Sequence, residues 1–267
     1  MRNWWTWVAA LLVAQPIVAE ELTSPLTFVP TSAVLHADAP SAGSPAASDC
    51  QSACAEACRE RRLFESDRAF DDFIGPISNP ILAKDPRALT ELRILFLDNT
   101  IPDNHPLGGG DFQAYGFQAR VALTERLSFI ADKDGFASIN PGAAPSRTGT
   151  LNIAAGLKYA VVRDVEKQFL LTVGTMFEPQ TGESDVFQGH GDGLFTFFAI
   201  AGKEFGDKFH ALFNLGYQLP VDRSQNSSFF YTSLHLDKQI AGWLYPLVEL
   251  NWFHWTDGGN RGLPPAL

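Results

Sequence analysis

From about residue 88 to the end, apolar and polar residues alternate in stretches of about ten, which is the period of strands with one apolar face. Nine strands are predicted, near 89–98, 112–123, 127–134, 150–161, 168–178, 194–204, 208–218, 229–237 and 242–254. In 208–218, Phe209, Ala211, Phe213, Leu215 and Tyr217 share one face, and His210, Asn214, Gly216 and Gln218 share the other. In 150–161, Leu151, Ile153, Ala155, Leu157 and Tyr159 oppose Asn152, Gly156 and Lys158. In 242–254, Leu244, Val248, Leu250 and Trp252 oppose Glu249 and Asn251.

The connections sort by length. Thr124 to Arg126, Arg163 to Lys167, Gly206-Asp207 and Lys238 to Ala241 are short. Between them fall the long ones: Asn99 to Asp111, Gly135 to Gly149, Pro179 to Gly193, Pro220 to Ser228, and Thr256 onward. Short and long connections in strict alternation, with strands apolar on one face, predict an all-β protein, an antiparallel up-and-down transmembrane β-barrel. Aromatics near strand ends (Tyr159, Phe177, Phe205, Tyr217, Phe229, Phe230, Trp252, Trp255) suit girdles at a lipid–water boundary. Nine is odd and residues 258–267 read as loop, so the visible strands are expected to belong to a ten- to twelve-stranded barrel, possibly truncated at the C-terminus.

Upstream of the strands the periodicity is absent. Arg2, the apolar run Trp4 to Ala14, Pro16 and Ile17-Val18-Ala19 read as a signal peptide over 1–19. That implies export and, with the strands, the outer membrane of a Gram-negative-type bacterium. Residues 20–48, rich in Ala, Ser and Pro, read as a flexible periplasmic linker. Residues 49–69 read as a short helix bearing Cys50, Cys54 and Cys58 as one stripe. The stripe leaves three readings: a disulfide or oligomer partner, a ligand set, or a small apolar face. Residues 70–87 carry Pro76, Pro80 and Pro86, which exclude a helix or a central strand; they read as an extended lead-in against the periplasmic mouth.

Composition changes little in this picture. In 267 residues there are 21 Phe and 6 Trp, yet mean hydropathy is −0.04, as expected when only alternate strand residues are apolar. The formal charge of −10 argues against a nucleic-acid partner. The partners expected are membrane lipid and a small-molecule solute.

The inferred lumen face collects Arg93, Arg120, Asp132, Asn152, Lys158, His210, Asn214, Gln218, His235, Asp237, Glu249 and Asn251. Glu91, Gln118, Asp134 and Glu178 join them on the same parity. Both signs are present, so strong ion selectivity is not indicated. Such residues line water in a wide barrel and pair with one another in a narrow one. Ser233, His235 and Asp237 share a strand face at spacings of about 6.5–7 Å, the pattern a lipid hydrolase would need. No oxyanion hole accompanies them, and no catalytic residues are assigned. Glu183, Asp185 and the run Gln188 to Gly193 could offer loop oxygens to a hard cation, but a surface loop explains them more simply, and neither a metal site nor a cofactor is expected.

The lead-in from Asn79-Pro80 to Asp85-Pro86-Arg87-Ala88-Leu89-Thr90-Glu91, with the signal peptide and the strands that follow, resembles bacterial outer-membrane barrels described as transporters. Among these is the group named for a meta-pathway of phenol degradation. The resemblance covers roughly residues 70–255 and implies a porin-like passive or facilitated transporter of small solutes. The alternative is a structural or adhesive surface protein with a plugged lumen.

Overall fold

A computed structural model describes residues 8–10, 62–105, 107–189, 191–206, 208–240 and 243–259. The stretches expected to be a signal peptide (apart from the short strand β1, Val8–Ala10), a linker and a cysteine-bearing helix lie almost wholly outside the described residues. Where the expected helix reaches them, over 62–69, the chain is instead a turn at Leu63 and Phe64, then irregular, then the start of a 3-10 turn at Arg68.

The strands are β2 (Glu91–Ile101), β3 (Gly110–Ala122), β4 (Leu127–Pro141), β5 (Arg147–Thr150), β6 (Ala155–Asp164), β7 (Phe169–Glu178), β8 (Leu194–Phe205), β9 (Phe209–Pro220), β10 (Ser228–Lys238) and β11 (Leu247–Asp257). Nine of them form an antiparallel open half-barrel in the order β11-β10-β9-β8-β7-β6-β4-β3-β2, each paired with its neighbour in sequence but for β5, which hangs on β4. β2 is one edge, and at the other end β11 is covered over only three residues. β1 pairs antiparallel with β11 over Glu249 to Asn251. No helix among the described residues is long and apolar enough to cross a membrane, a statement that does not bear on crossing by strands.

The predicted faces hold on β9 and β6, whereas Leu151, expected on the outer face, lies where the strand breaks and packs inward on the Val186 cluster. On β9, Phe213 is 44% exposed while His210 and Asn214 are buried. On β6, Leu157 and Tyr159 point out and Lys158 points in. The convex face is a continuous apolar band (Leu92, Ile94, Phe117, Phe129, Val173, Phe197, Val248). Aromatic pairs flank it, Phe177/Phe195 and Phe229/Trp255 at the long-loop end and Phe205/Phe209 at the short-turn end.

Three differences from the expected strands have local causes. β4 does not stop before Gly135 but runs to Pro141, because Gly135 lets the two backbones close up. A Cβ there would lie 2.1 Å from the Tyr115 carbonyl oxygen. The expected strand 150–161 breaks at 151–154, where β5 has already turned back along the end of β4. β11 begins at Leu247 rather than at 242, just after Pro246, which has no N–H to give a ladder. On β9, Gly216 faces Tyr231 across the pair, and the Tyr231 ring fills the space a Cβ would take, 2.3 Å away.

The concave face is full, and this is the main departure from expectation. The lead-in does not stay at the mouth. It enters at the short-turn end, where Asp67 caps the 3-10 turn Arg68–Phe70 and pairs with Arg163 at 2.8 Å. Phe70 and Phe73 then pack with Ala160, Leu170 and Leu212. The chain continues along the interior and returns, with the Asp67 N–H on the Ala88 carbonyl, before β2 starts. At the other end the 179–193 loop folds inward. Its Val186 packs on Ile101, Ala114, Ala137 and Ile139, and the Asn152 side chain accepts from the Gly182 and Gly189 N–H groups.

Candidate functional site

Eleven of the twelve inferred lumen residues are buried on the concave face; Gln218, near the long-loop end of β9, is half-buried. The structure brings them together as two groups with the lead-in between. Asn152 stands apart, anchoring the inward loop and donating to Glu178 at 2.8 Å.

The first group lies on β2, β3, β4 and β6 and is rich in cations. Glu91 bridges Arg93 at 2.9 Å and Arg120 at 2.8 Å. Asp132 pairs with Lys84 of the lead-in at 2.8 Å. Lys158 donates to the main-chain carbonyls of Asp85 and, at 2.6 Å, Arg87. A Cβ on Gly75 would sit 2.8 Å from the Asp85 carboxylate and 3.1 Å from the Arg93 guanidinium, so these three groups are packed against each other.

The second group, on β8 to β11, is acidic and carries two histidines. His210 Nδ1 lies 2.8 Å from Asp237 Oδ1, and His235 Nε2 lies 3.0 Å from Asp237 Oδ2. His235 Nδ1 lies 2.6 Å from Glu249 Oε1, and Glu204 stands 3.6 Å from His210 Nε2. Phe73 covers the His210 ring at 4.8 Å between centroids. The far end of this chain of carboxylates and imidazoles reaches the lead-in, because Glu249 accepts the N–H groups of Ile77 at 2.8 Å and Ser78 at 2.6 Å.

Both His235 nitrogens thus face carboxylates, which leaves neither for Ser233, whose buried hydroxyl has no hydrogen-bond partner among the described residues. The Ser233–His235–Asp237 pattern is therefore not assembled as a nucleophile and base. Glu183 and Asp185 of the glycine-rich loop engage Thr150 and Arg147, and no metal-type cluster occurs among the described residues. His190 lies outside them.

The residues that reading the sequence missed are on the lead-in: Lys84, Asp85 and Arg87. All three are buried, though side chains of these types seldom are unless paired. Three charges among prolines, with no solvated helix to carry them, are the only sequence signal of this. Asp85 receives Arg87 through two contacts, Nε at 3.0 Å and Nη2 at 2.8 Å. Burial pushes the Asp85 carboxyl up, but the Arg87 guanidinium outweighs it and holds the group well below the usual carboxylate range. Burial pulls the Lys84 ammonium down, against the attraction of Asp132.

Asp85 gives a prediction with a definite sign. A carboxylate whose pKa is lower folded than unfolded contributes stability above its unfolded value of about 3.9, and that contribution disappears as pH falls towards the folded value. The folded fraction should therefore fall steeply below about pH 4 in this window. Heat-modifiable gel migration against pH checks it. Asp85→Asn should make the dependence shallower, and an unchanged slope would remove Asp85 as a contributor.

No family model, no curated protein and no solved structure matches this chain. The fold defines an antiparallel all-β open half-barrel whose interior holds paired charges beside apolar clusters.

Proposed function

We propose that the chain forms the greater part of an outer-membrane β-barrel that passes small solutes and is closed, in the described state, by its own lead-in. The apolar convex band flanked by aromatic pairs supports the membrane setting, since a contiguous exposed apolar surface of this extent marks an interaction or membrane surface. A sheet edge cannot face hydrocarbon unpaired, so in the bilayer β2, and the part of β11 that β1 leaves uncovered, meet further strands, of this chain or of another copy. The resemblance to outer-membrane transporter barrels points the same way and remains an analogy of architecture.

The observation that carries the transport reading is the chemistry of the interior. A wall with no task beyond filling space could be apolar, and buried charges are costly unless each is paired. Here much of the wall is charged and hydrogen-bonding beside its apolar clusters, and residues 77–87 are held to it by polar contacts. Such a filling can be exchanged for water and solute.

Planar-bilayer conductance tests this. The native protein should be closed most of the time, and Lys84→Ala, which removes the partner of Asp132, should open it more often. If neither conducts under any applied voltage, the barrel is a structural or adhesive surface protein with a permanently plugged interior.

A further inference from the structure

We infer that the interior of the half-barrel is a binding groove for extended polypeptide main chain, occupied in cis by residues 77–87 and able to take a short proline-containing peptide in trans. The wall grips this segment chiefly by its backbone. Glu249 accepts the N–H groups of Ile77 and Ser78, and Asn214 accepts that of Lys84 at 2.8 Å. Gln118 donates to the Pro80 carbonyl at 2.7 Å, Thr172 to that of Pro86 at 2.7 Å, and Lys158 to those of Asp85 and Arg87. Five side chains from β3, β6, β7, β9 and β11 thus make seven bonds to main-chain groups.

The division of labour follows the polarity of the wall. The acidic side takes peptide N–H groups through Glu249, and the basic side gives protons to peptide carbonyls through Lys158. Main-chain recognition supplies affinity with little demand on sequence, as in strand addition, but here the donors and acceptors are wall side chains rather than a sheet edge. Pro76, Pro80 and Pro86 fix φ and cannot continue a helix, so the segment keeps its backbone groups for the wall and loses little entropy on binding. Among the described residues, the side-chain hydrogen bonds and ion pairs from this segment to the wall are Lys84 with Asp132 and Ser78 with Asn251. The ligand class is therefore an extended peptide with spaced prolines and one lysine placed to meet Asp132.

A cis segment competes at the high effective concentration of a short tether, so exchange is best seen where the cis segment is loosened. Asp85→Ala does this while leaving in place the five wall side chains that bond the main chain of the segment, because Asp85 holds Arg87 of its own segment and otherwise only packs beside Arg93. The experiment uses the full chain with Cys50, Cys54 and Cys58 replaced by Ser and Ala83→Cys as reporter. Ala83 is 1% exposed, so its replacement should react with a water-soluble maleimide only when the segment leaves. The probe is the synthetic peptide Pro76 to Ala88 with blocked ends.

Added at millimolar concentration, near the effective concentration of a short tether, the peptide should raise the labelling rate of the Asp85→Ala protein about tenfold. A peptide N-methylated at Ile77 and Ser78 should have no effect, since it lacks both donors to Glu249. A peptide that keeps the prolines and Lys84 but changes the other side chains should keep most of the effect. No acceleration in protein that remains heat-modifiable, or equal acceleration by the N-methylated peptide, overturns the groove. That the peptide also passes through as a solute rests on the gated-barrel reading, and the two fail separately. Exchange without conductance in any variant removes transport and keeps the groove, whereas conductance without exchange does the reverse.

Discussion

Phe213→Arg should lower the stability of the bilayer-inserted protein by about 2–4 kcal/mol, the cost of a guanidinium on the lipid face of such a barrel near the midplane. Phe213 lies mid-strand on β9, pointing out and paired with Ala201 and Leu234. Leu215→Arg, two residues on and on the same face, should behave alike. Asn214→Arg is expected to differ in kind. From the sequence alone a charge at an inward position would be harmless, because an inward position would meet water. The structure instead puts Asn214 at 1% exposure, accepting from the Lys84 N–H, so an arginine there has no room beside the lead-in. The barrel should still insert, with the lead-in expelled. Urea titration of folding into vesicles measures the first effect, and maleimide reactivity of Ala83→Cys measures the second. Equal loss of folding from all three variants would mean that the faces of β9 are not inside and outside.

Glu249→Ala should cost about 3–5 kcal/mol, the usual consequence of removing one member of a buried charge pair. Its carboxylate serves His235 Nδ1 and two lead-in N–H groups at once, so its loss removes an acceptor from all three and leaves the His235 ring only Asp237. Glu249→Gln should recover part of the loss, since its amide oxygen still accepts one hydrogen bond. Ser233→Ala on the neighbouring strand should change stability by less than about 1 kcal/mol, because its hydroxyl has no hydrogen-bond partner among the described residues. Denaturant midpoints of the three variants decide it. A Ser233→Ala loss as large as that of Glu249→Ala would place an unrecognised partner on the serine.

The strands were legible because their signal is local. A period of two over ten residues fixes both element and face, and the sorting of loops by length fixes the up-and-down order. The inward parity of Arg93, Lys158, His210 and Glu249 follows from that alone. What these residues meet does not, since alternation records only that a position avoids the apolar face. Water, a neighbouring strand and an inserted segment leave the same pattern. Residues 70–87 have no periodicity to read, and prolines that exclude helix and strand leave every extended path open. The path is set by contacts across long sequence distances, such as Ser78 with Asn251 and Lys84 with Asn214. The break at 151–154 was hidden for a related reason. Leu151 and Ile153 keep the strand alternation, while the ladder is lost to β5 and to the loop that Asn152 holds.

The central claim is an outer-membrane barrel with its lead-in inside, and one cross-linking measurement tests it most directly. In a chain with Cys50, Cys54 and Cys58 replaced by Ser, Ser78→Cys and Asn251→Cys are introduced together; their native side chains lie 2.8 Å apart. Ser78→Cys with Leu250→Cys, which points to the opposite face, is the control. Mild oxidation of cells should bridge 78 to 251 but not 78 to 250, and the bridged, heat-modifiable protein should appear in the outer-membrane fraction. A folded protein in that fraction whose 78 and 251 thiols stay reduced, or a folded protein found only in the soluble fraction, would contradict the account.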